Sequence, residues 1–332
     1  MGLIDSLVDA TRFKDTVFYK VSCDLQTRYD ALKQLATEYP DNDKLRTELS
    51  IVKRGLDGEN EIAYQLKKAS IGMYVLRDVK VKYEDLTAQI DYVIITPAYT
   101  YYIECKNLVG NITVTERGDF IRELTVNGKK VKKGIYSPLR QVEAQREVIR
   151  KIWDAKTSTL KKLIASKDFN YYRRVLVVAA NQSTILNVNR APKDIKYKVM
   201  RADSLVRQIE YDLKHRGSGE YSRSKRDMEE IAQWYIDLSV KDNTDYYEFY
   251  KKKVCGGSNA PKADDLKKRL TEFRKKRATE LKIPLYYVFT NEELEQLIKT
   301  RPKTLAELEK SRILTPVKTK THGRQIISVI NG

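Results

Sequence analysis

The chain has few of the residues on which histidine- and cysteine-based sites depend. Its 332 residues include only two histidines and three cysteines. The cysteines have no paired spacing, which argues against a disulfide framework and a zinc site and fits a reducing cytoplasm. Two histidines are too few to favour Ser-His-Asp chemistry, histidine-ligated zinc or a histidine-based nuclease. If the chain is an enzyme, we expect carboxylates and lysine to perform its chemistry.

Long apolar runs are also missing from the sequence. No run approaches the roughly eighteen apolar residues that a membrane span needs. The N-terminus, MGLIDSLVDATRFKDT, carries acids early and has no signal-peptide pattern. We therefore expect a cytoplasmic protein with no membrane partner.

Positive charge is the property that the chain has in excess. Its formal net charge is +18, while 33% of its residues are charged and 41% are hydrophobic. A surface this basic attracts polyanions, of which nucleic acid is the commonest inside a cell. Composition alone leaves open a merely soluble protein with a basic bias.

The order of elements predicts an α/β domain with a mixed central β-sheet flanked by helices, followed by a small all-α bundle. Residues 1–50 look helical, 51–245 form the α/β domain with a helical extension, 246–264 form a linker, and 265–332 form the bundle. Asn127-Gly128 is a strong hairpin signal. The main strands are expected at Tyr74–Val81, Gln89–Ile95, Tyr99–Lys106 and Arg174–Ala180.

A basic helix follows the predicted linker. The stretch 251–282 contains twelve basic and four acidic residues. Runs of charge are usually solvated faces, but with the net charge of the chain we favour contact with nucleic-acid phosphates. The candidate residues are Lys267, Lys268, Arg269, Arg274, Lys275, Lys276 and Arg277.

Two predicted core strands carry charged residues that such strands should avoid. Asp91 lies early in the first strand, and Glu104 and Lys106 lie near the end of the second. Because side chains alternate along a strand, Glu104 and Lys106 share one face and Cys105 takes the other. Burying unpaired charge is costly, so these residues need a reason to be there. One alternative is a simple ion pair on an edge strand.

A divalent cation would supply that reason. Mg²⁺ or Mn²⁺ takes oxygen ligands and keeps several waters, so the carboxylates of Asp91 and Glu104 with the backbone carbonyl of Cys105 would suffice. Lys106 would position the attacking water or stabilise charge on the phosphate. The pattern favours metal-dependent phosphodiester cleavage, although a bare Asp and Glu-x-Lys pattern arises often by chance.

The segments GLDGENEIAYQL, QIDYVIITPAYTYYIECKNLVGNI and SPLRQVEAQREVI, in this order, resemble the nuclease-related domain NERD. That domain belongs to the restriction-endonuclease-like PD-(D/E)xK superfamily. The resemblance implies a restriction-endonuclease-like core in which Glu59, Asp91, Glu104, Lys106 and Gln141 are the catalytic residues. Phe120 stands where relatives often carry tryptophan.

Two of these assignments come from the resemblance and have structural alternatives. The alternative for Glu59 is an acid near a helix N-terminus, where the macrodipole favours it, and Glu61 competes with it for the functional role. The match at Gly58-Glu59 places Glu59 ahead. The alternative for Gln141 is a polar residue in the first turn of a surface helix, and without the resemblance we would prefer that alternative.

The C-terminal segment from Ile283 to Ile330 resembles an HRDC domain, a small helical bundle found beside helicases and nucleases. The matching features are Ile283-Pro284, Val288-Phe289-Thr290, Leu294, Arg301-Pro302, Leu308 and Gly323. Relatives often have a glycine-rich turn where this chain has Ile313-Leu314-Thr315-Pro316. The resemblance implies auxiliary nucleic-acid binding, whereas some relatives bind protein instead.

Together these features predict a metal-dependent DNA endonuclease or nickase that acts in DNA processing, repair or defence. Its partners would be double-stranded, single-stranded or junction DNA, with a helicase or another DNA-processing protein as a further partner. The alternatives are an inactive DNA-binding or scaffolding protein that kept the fold, and a nuclease acting on RNA. The sequence does not give the oligomeric state.

Overall fold

The computed structural model describes residues 13–156, 169–217, 222–255, 263–281 and 283–331. Contacts divide the chain into two compact units, residues 1–254 and residues 255–332. In the described part of the chain, none of the helices combines the length and the apolar character that a membrane span requires.

The first unit is built on a six-stranded mixed sheet. Its strands are β1 Thr16–Lys20, β2 Met73–Tyr83, β3 Leu86–Ile95, β4 Thr100–Lys106, β8 Arg173–Ala179 and β10 Val199–Arg201. Their spatial order is β1-β2-β3-β4-β8-β10. The β2–β3 and β3–β4 pairs are antiparallel, and the other three pairs are parallel. The predicted mixed sheet is confirmed, and β4 lies in its interior.

A second, four-stranded sheet follows β4 in the chain. Its strands are β5 Asn111–Val114, β6 Phe120–Val126, β7 Lys129–Ile135 and β9 Leu186–Asn187. Their order is β7-β6-β5-β9. Asn127 and Gly128 join β6 to β7 with φ values of 50° and 75°. These positive values are typical of a type I′ turn, so the hairpin prediction is confirmed.

Helices cover both faces of the main sheet. In chain order they are α1 Asp24–Glu38, α2 Asp43–Lys67, α3 Pro138–Lys156, α4 Phe169–Tyr172, α5 Lys193–Lys196, α6 Ala202–Lys214, α7 Lys225–Leu238 and α8 Tyr246–Tyr250. Apolar residues of α3 and α7 join the core on one face, and those of α2 and α6 join the core on the other. Glu104 and Lys106 lie on the α3 face, since Tyr102 on the same side of β4 belongs to that core.

The N-terminal segment differs from the helical prediction. Residues 16–20, TVFYK, form β1 and pair with β2, because β-branched and aromatic side chains suit a sheet. Residues 1–12 of the predicted helical segment lie outside the described residues. Helix α2 runs across the predicted boundary at residue 50. Within the predicted linker, α8 and a π-helix over Lys251–Cys255 are helical, and residues 256–262 lie outside the described part.

The second unit is helical, as predicted. Its helices are α9 Ala263–Leu281, α10 Leu285–Val288, α11 Asn291–Thr300, α12 Leu305–Ser311 and α13 Pro316–Asn331. Thr290 and Thr304 cap α11 and α12, because their side-chain oxygens accept the backbone N–H groups of Glu293 and Glu307. Leu270, Phe289 and Ile326 lie in a core that this unit forms for itself.

Candidate functional site

Asp91 and Glu104 lie on neighbouring inner strands. The backbone pairing of β3 with β4 ends at Tyr92 and Ile103, so the next step along both strands sets Asp91 across from Glu104. The backbone N–H of Cys105 donates to Asp91 Oδ2 at 2.7 Å. The Asp91 carboxylate therefore stays beside β4 at the point where backbone pairing ends.

A local irregularity in β2 lies beside this point. Asp78, which the register places across from Asp91, has a φ of 54°. Leu76 and Val79 both face the same core although they are three residues apart, so the alternation of side chains shifts at Asp78. Asp78 tolerates this left-handed conformation better than a branched residue would, and its carboxylate accepts the Gln89 side-chain amide at 2.7 Å. Such irregularities recur next to active sites.

Glu104 and Lys106 form an ion pair inside the sheet. Lys106 Nζ lies 2.6 Å from Glu104 Oε1, and the Glu104 side chain is only 3% exposed. Lys106 Nζ also donates to Gln141 Oε1 at 3.1 Å. The alternative of a simple ion pair on an edge strand is thus partly right, since Glu104 and Lys106 do form an ion pair. The pair does not lie on an edge strand, however, because β4 is in the interior of the sheet.

Gln145 is a site residue that the sequence analysis missed. Its Nε2 donates to Glu104 Oε2 at 3.3 Å and to the Gln89 carbonyl at 2.7 Å. Its Oε1 is buried and has no hydrogen-bond partner among the described residues. The sequence does contain a signal for Gln145, because this residue follows Gln141 by four positions and so lies on the same face of the helix.

Glu59 lies in the interior of α2, so its interpretation as an acid at a helix N-terminus is wrong. Its Oε2 pairs with Arg77 Nε at 2.8 Å, and both side chains are at most 10% exposed. Tyr92 donates its hydroxyl to the Glu59 carbonyl at 2.7 Å. Arg77 is a charged residue within the largely apolar first half of β2, and this position was the feature of the sequence that pointed to a buried acidic partner.

The competing acid, Glu61, has other contacts. Its carboxylate accepts the side-chain amides of Gln65 at 2.8 Å and of Gln182 at 3.2 Å. Glu59, in contrast, lines a cavity of about 680 Å³ together with Asp91, Gln141 and Gln145. Of the two acids, Glu59 is therefore the one beside Asp91.

The electrostatics of the site disfavour two negative charges. Burial raises the pKa of Asp91 well above its usual range, and the charge of Glu104 raises it further. Burial also raises the pKa of Glu104, whereas the charge of Lys106 and the hydrogen bond from the Gln145 amide lower it. A cation next to both carboxylates would favour their ionised forms.

The donor set fits a hard divalent cation. Within the described ranges, no group of three or more His, Cys, Asp or Glu side chains converges, so a site of the zinc type is not formed there. Two carboxylates remain, and the Cys105 carbonyl points toward β3 because the N–H and C=O of one strand residue leave on the same side. These three oxygens suit an ion that keeps several waters, and the unpartnered Gln145 Oε1 is an acceptor for one of those waters.

The seven basic candidates of α9 divide into two groups. Arg269, Arg274 and Arg277 are half-buried and bond within the unit, to Val329, to Phe289 and Asn291, and to Glu280 respectively. Lys267 is exposed and pairs with Glu295. Lys268, Lys275 and Lys276 are exposed, and their spacing of seven and eight residues places them on one side of the helix.

Comparison with known families adds two matches. The family named NERD, a nuclease-related domain, matches residues 54–178. The HRDC domain matches residues 263–330. The curated proteins and the solved structures compared with the chain gave no significant match. A nuclease-related domain and an HRDC domain both indicate nucleic-acid binding. The chain therefore carries a NERD-family nuclease-related domain followed by an HRDC domain.

Proposed function

We propose that the protein is a metal-dependent DNA nuclease of the PD-(D/E)xK type, an endonuclease or nickase. The observation that carries this proposal is the placement of Asp91, in the middle of inner strand β3, across from Glu104, which lies with Lys106 near the end of inner strand β4. A buried acidic pair with an ammonium group beside it contributes little to a sheet that apolar residues could fill. It suits the hydrolysis of a phosphodiester.

Three oxygen donors would hold the metal, Mg²⁺ or Mn²⁺. They are the carboxylates of Asp91 and Glu104 and the carbonyl of Cys105. When bound, such an ion lowers the pKa of a coordinated water and neutralises charge on the phosphate.

Lys106 supplies a fixed positive charge next to the carboxylates. Its ammonium group is held between Glu104, at 2.6 Å, and the Gln141 amide oxygen, at 3.1 Å. It can orient the attacking water or stabilise the charge that develops on the phosphate oxygens. Gln141 fixes the direction of the ammonium group, and Glu59, held by Arg77, shapes the wall of the cavity next to Asp91.

The second unit would hold the nucleic acid. Three of its exposed lysines, Lys268, Lys275 and Lys276, present positive charge on one side of α9. Phosphate contacts of this kind give affinity without sequence preference. A protein that cleaves DNA with one unit and binds it with the other would suit DNA processing, repair or defence.

A plasmid cleavage assay tests the proposal. We expect the wild type to nick or linearise plasmid with Mg²⁺ and to be inactive in EDTA. Asp91→Asn and Lys106→Ala should each lower the rate by at least about 10²-fold, because the first weakens the proposed metal site and the second removes the charge next to the attacking water and the phosphate. Asp85→Asn is the matched control, since Asp85 is an exposed acid in the β2–β3 turn.

Thermal melting supplies a second readout. Mg²⁺ should raise the melting temperature of the wild type and of Asp85→Asn but not of Asp91→Asn, because a ligand that binds only the folded state stabilises it. Full cleavage by Asp91→Asn or Lys106→Ala would refute the assignment. A folded wild type that binds DNA but never cleaves it with either metal would support the inactive scaffold instead, and parallel RNA substrates decide the third alternative.

A further inference from the structure

The outer part of the β6–β7 hairpin projects beyond its sheet as a two-stranded ribbon. Strand β5 pairs with β6 only as far as Glu123, whereas β6 and β7 stay paired out to Val126 and Lys129. At the turn, a side chain added at Gly128 would meet none of the described atoms within 4 Å. The tip of the ribbon is therefore open to a partner.

The ribbon has a strongly basic strand. The sequence of β7 is KKVKKGI, and its four lysines are all exposed. Lys130 and Lys132 share a face with Glu123, which lies 3.6 Å from each of them. That face therefore compensates part of its own charge.

The opposite face of the ribbon has no such compensation. This face carries Lys129 and Lys133, and the register of the two strands places Lys133 directly across from Arg122. Neither of these two lysines has an ion-pair partner in the described part of the chain. Alternation places no acidic residue of β6 or β7 on this face. Three positive charges thus line one side of the ribbon.

The base of the ribbon is attached to the proposed active site. Arg122 Nε donates to the Val109 carbonyl at 2.6 Å, three residues beyond Lys106. Phe120, on the same face as Arg122, belongs to the core that lies on the Glu104 side of the main sheet. The chain leaves β7 and enters α3, which carries Gln141. The basic face thus starts between the two segments that build the site.

A simpler function for these lysines is protection of a sheet edge. Strand β7 is the edge of its sheet, and lysines at edges discourage pairing with another chain. Edge protection needs charge along β7, but it does not need Arg122 of β6 to lie directly across from Lys133, where the two like charges repel each other. This placement of two cations side by side therefore requires a second explanation.

We propose that the face formed by Arg122, Lys129 and Lys133 binds the sugar-phosphate backbone of duplex DNA beside the bond to be cleaved. Lys129 and Lys133 are four residues apart, which is about 13 Å along a strand. The major groove of DNA admits a two-stranded ribbon, and lysines contact phosphates as point charges. This inference rests on the proposed function only for the choice of DNA as the polyanion.

The test measures how DNA binding depends on salt. Full-length protein is titrated into a short fluorescein-labelled duplex in EDTA, so that no cleavage occurs, at several salt concentrations. Lys129→Gln with Lys133→Gln should weaken binding and should lower the slope of log K against log salt by about 2, one for each lost phosphate contact. The matched control is Lys33→Gln with Lys44→Gln, which removes the same charge from two exposed lysines elsewhere in the unit and should change the slope much less.

A third variant separates the two faces of the ribbon. Lys130→Gln with Lys132→Gln should resemble the control, because these lysines already face Glu123. Identical slopes for the Lys129/Lys133 variant and the wild type would overturn the proposal and leave an acidic protein as the partner of this face. Binding is measured in EDTA and so does not depend on cleavage. If the ribbon does not bind DNA, the nuclease proposal still stands. If the protein does not cleave DNA, the binding result for the ribbon still tests this proposal.

Discussion

At the scale of single residues, Glu104 has the most constrained position in the site. One carboxylate oxygen lies against the ammonium group of Lys106, and the other accepts from the Gln145 amide. Burial opposes the ionised form that metal binding needs, and these two neighbours favour it. The protonation state of Glu104 thus depends on Gln145, which contacts no reacting atom in the proposed mechanism.

Replacing Gln145 should move the acid limb of the pH–rate profile. Gln145→Ala removes an N–H donor that lowers the pKa of Glu104, so that pKa rises. At any acidic pH a smaller fraction of Glu104 is ionised, and the acid limb shifts to higher pH. We also expect the maximal rate to fall by about 10- to 100-fold, as with other residues that orient metal ligands. Initial rates of plasmid nicking across pH measure both effects.

The control for Gln145 is another glutamine that donates to a glutamate. Gln182 donates to Glu61, which lies away from the carboxylate pair, so Gln182→Ala should leave the acid limb in place. An acid limb that coincides in the wild type and Gln145→Ala would show that Gln145 only packs against the site.

The residues of the site were predictable to different degrees. Alternation along one strand was enough to place Glu104 and Lys106 together. Gln145 and Arg77 acquire their roles from partners in other elements, and those pairings depend on how the helices pack on the sheet. The spacing of Gln145 from Gln141 and the charge of Arg77 in an apolar strand mark both residues as candidates, but a pattern within one segment does not identify their partners.

At the scale of elements, Gly58 allows α2 to approach β4 closely. A Cβ added there would lie 2.6 Å from Asn107 Cβ and 3.3 Å from Cys105 Sγ. Asn107 in turn donates its side-chain amide to the Arg54 carbonyl at 2.7 Å. Helix α2 is thus held tightly against the end of the strand that carries Glu104.

Gly58→Ala should therefore destabilise the protein despite a better helix propensity. Alanine favours a helix interior by about 1 kcal/mol over glycine, and overpacking a close contact costs about 1–3 kcal/mol. We expect a net loss of stability, measured by urea unfolding, and slower cleavage because α2 carries Glu59. Gly55→Ala is the control, since its Cβ would meet only the flexible end of Leu25 at 3.3 Å. Equal stability of the two variants would contradict the close-packing argument.

Elements with strong local signals were predicted well, and those that depend on partners were not. The Asn127-Gly128 turn depends on the backbone preferences of its own two residues, and it is confirmed. Strand β1 was missed because five residues carry too little pattern on their own, and it is stabilised by pairing with β2. The irregularity at Asp78 was also invisible, because its conformation is stabilised by side chains from elsewhere in the fold, such as Gln89.

At the scale of the whole molecule, the two units have separate cores. The two cores on the faces of the main sheet contain residues up to Leu238 only. The core of the second unit contains residues from Leu266 to Ile330. Because these cores share no residue among those that the structure describes, each unit has its own source of hydrophobic stabilisation.

Truncation after Val254 should therefore separate cleavage from affinity. We expect residues 1–254 to melt cooperatively and to keep Mg²⁺-dependent cleavage with an unchanged kcat, because every proposed site residue lies in this part. KM for plasmid should rise, and the salt slope of duplex binding should fall by about 3 if Lys268, Lys275 and Lys276 each contact one phosphate. Changing these three lysines to glutamine in the full-length chain is the matched control, and it should lower the slope by the same amount. A truncated chain that fails to fold would show that the first unit depends on the second, whereas an unchanged slope in the triple variant would show that α9 does not bind the DNA backbone.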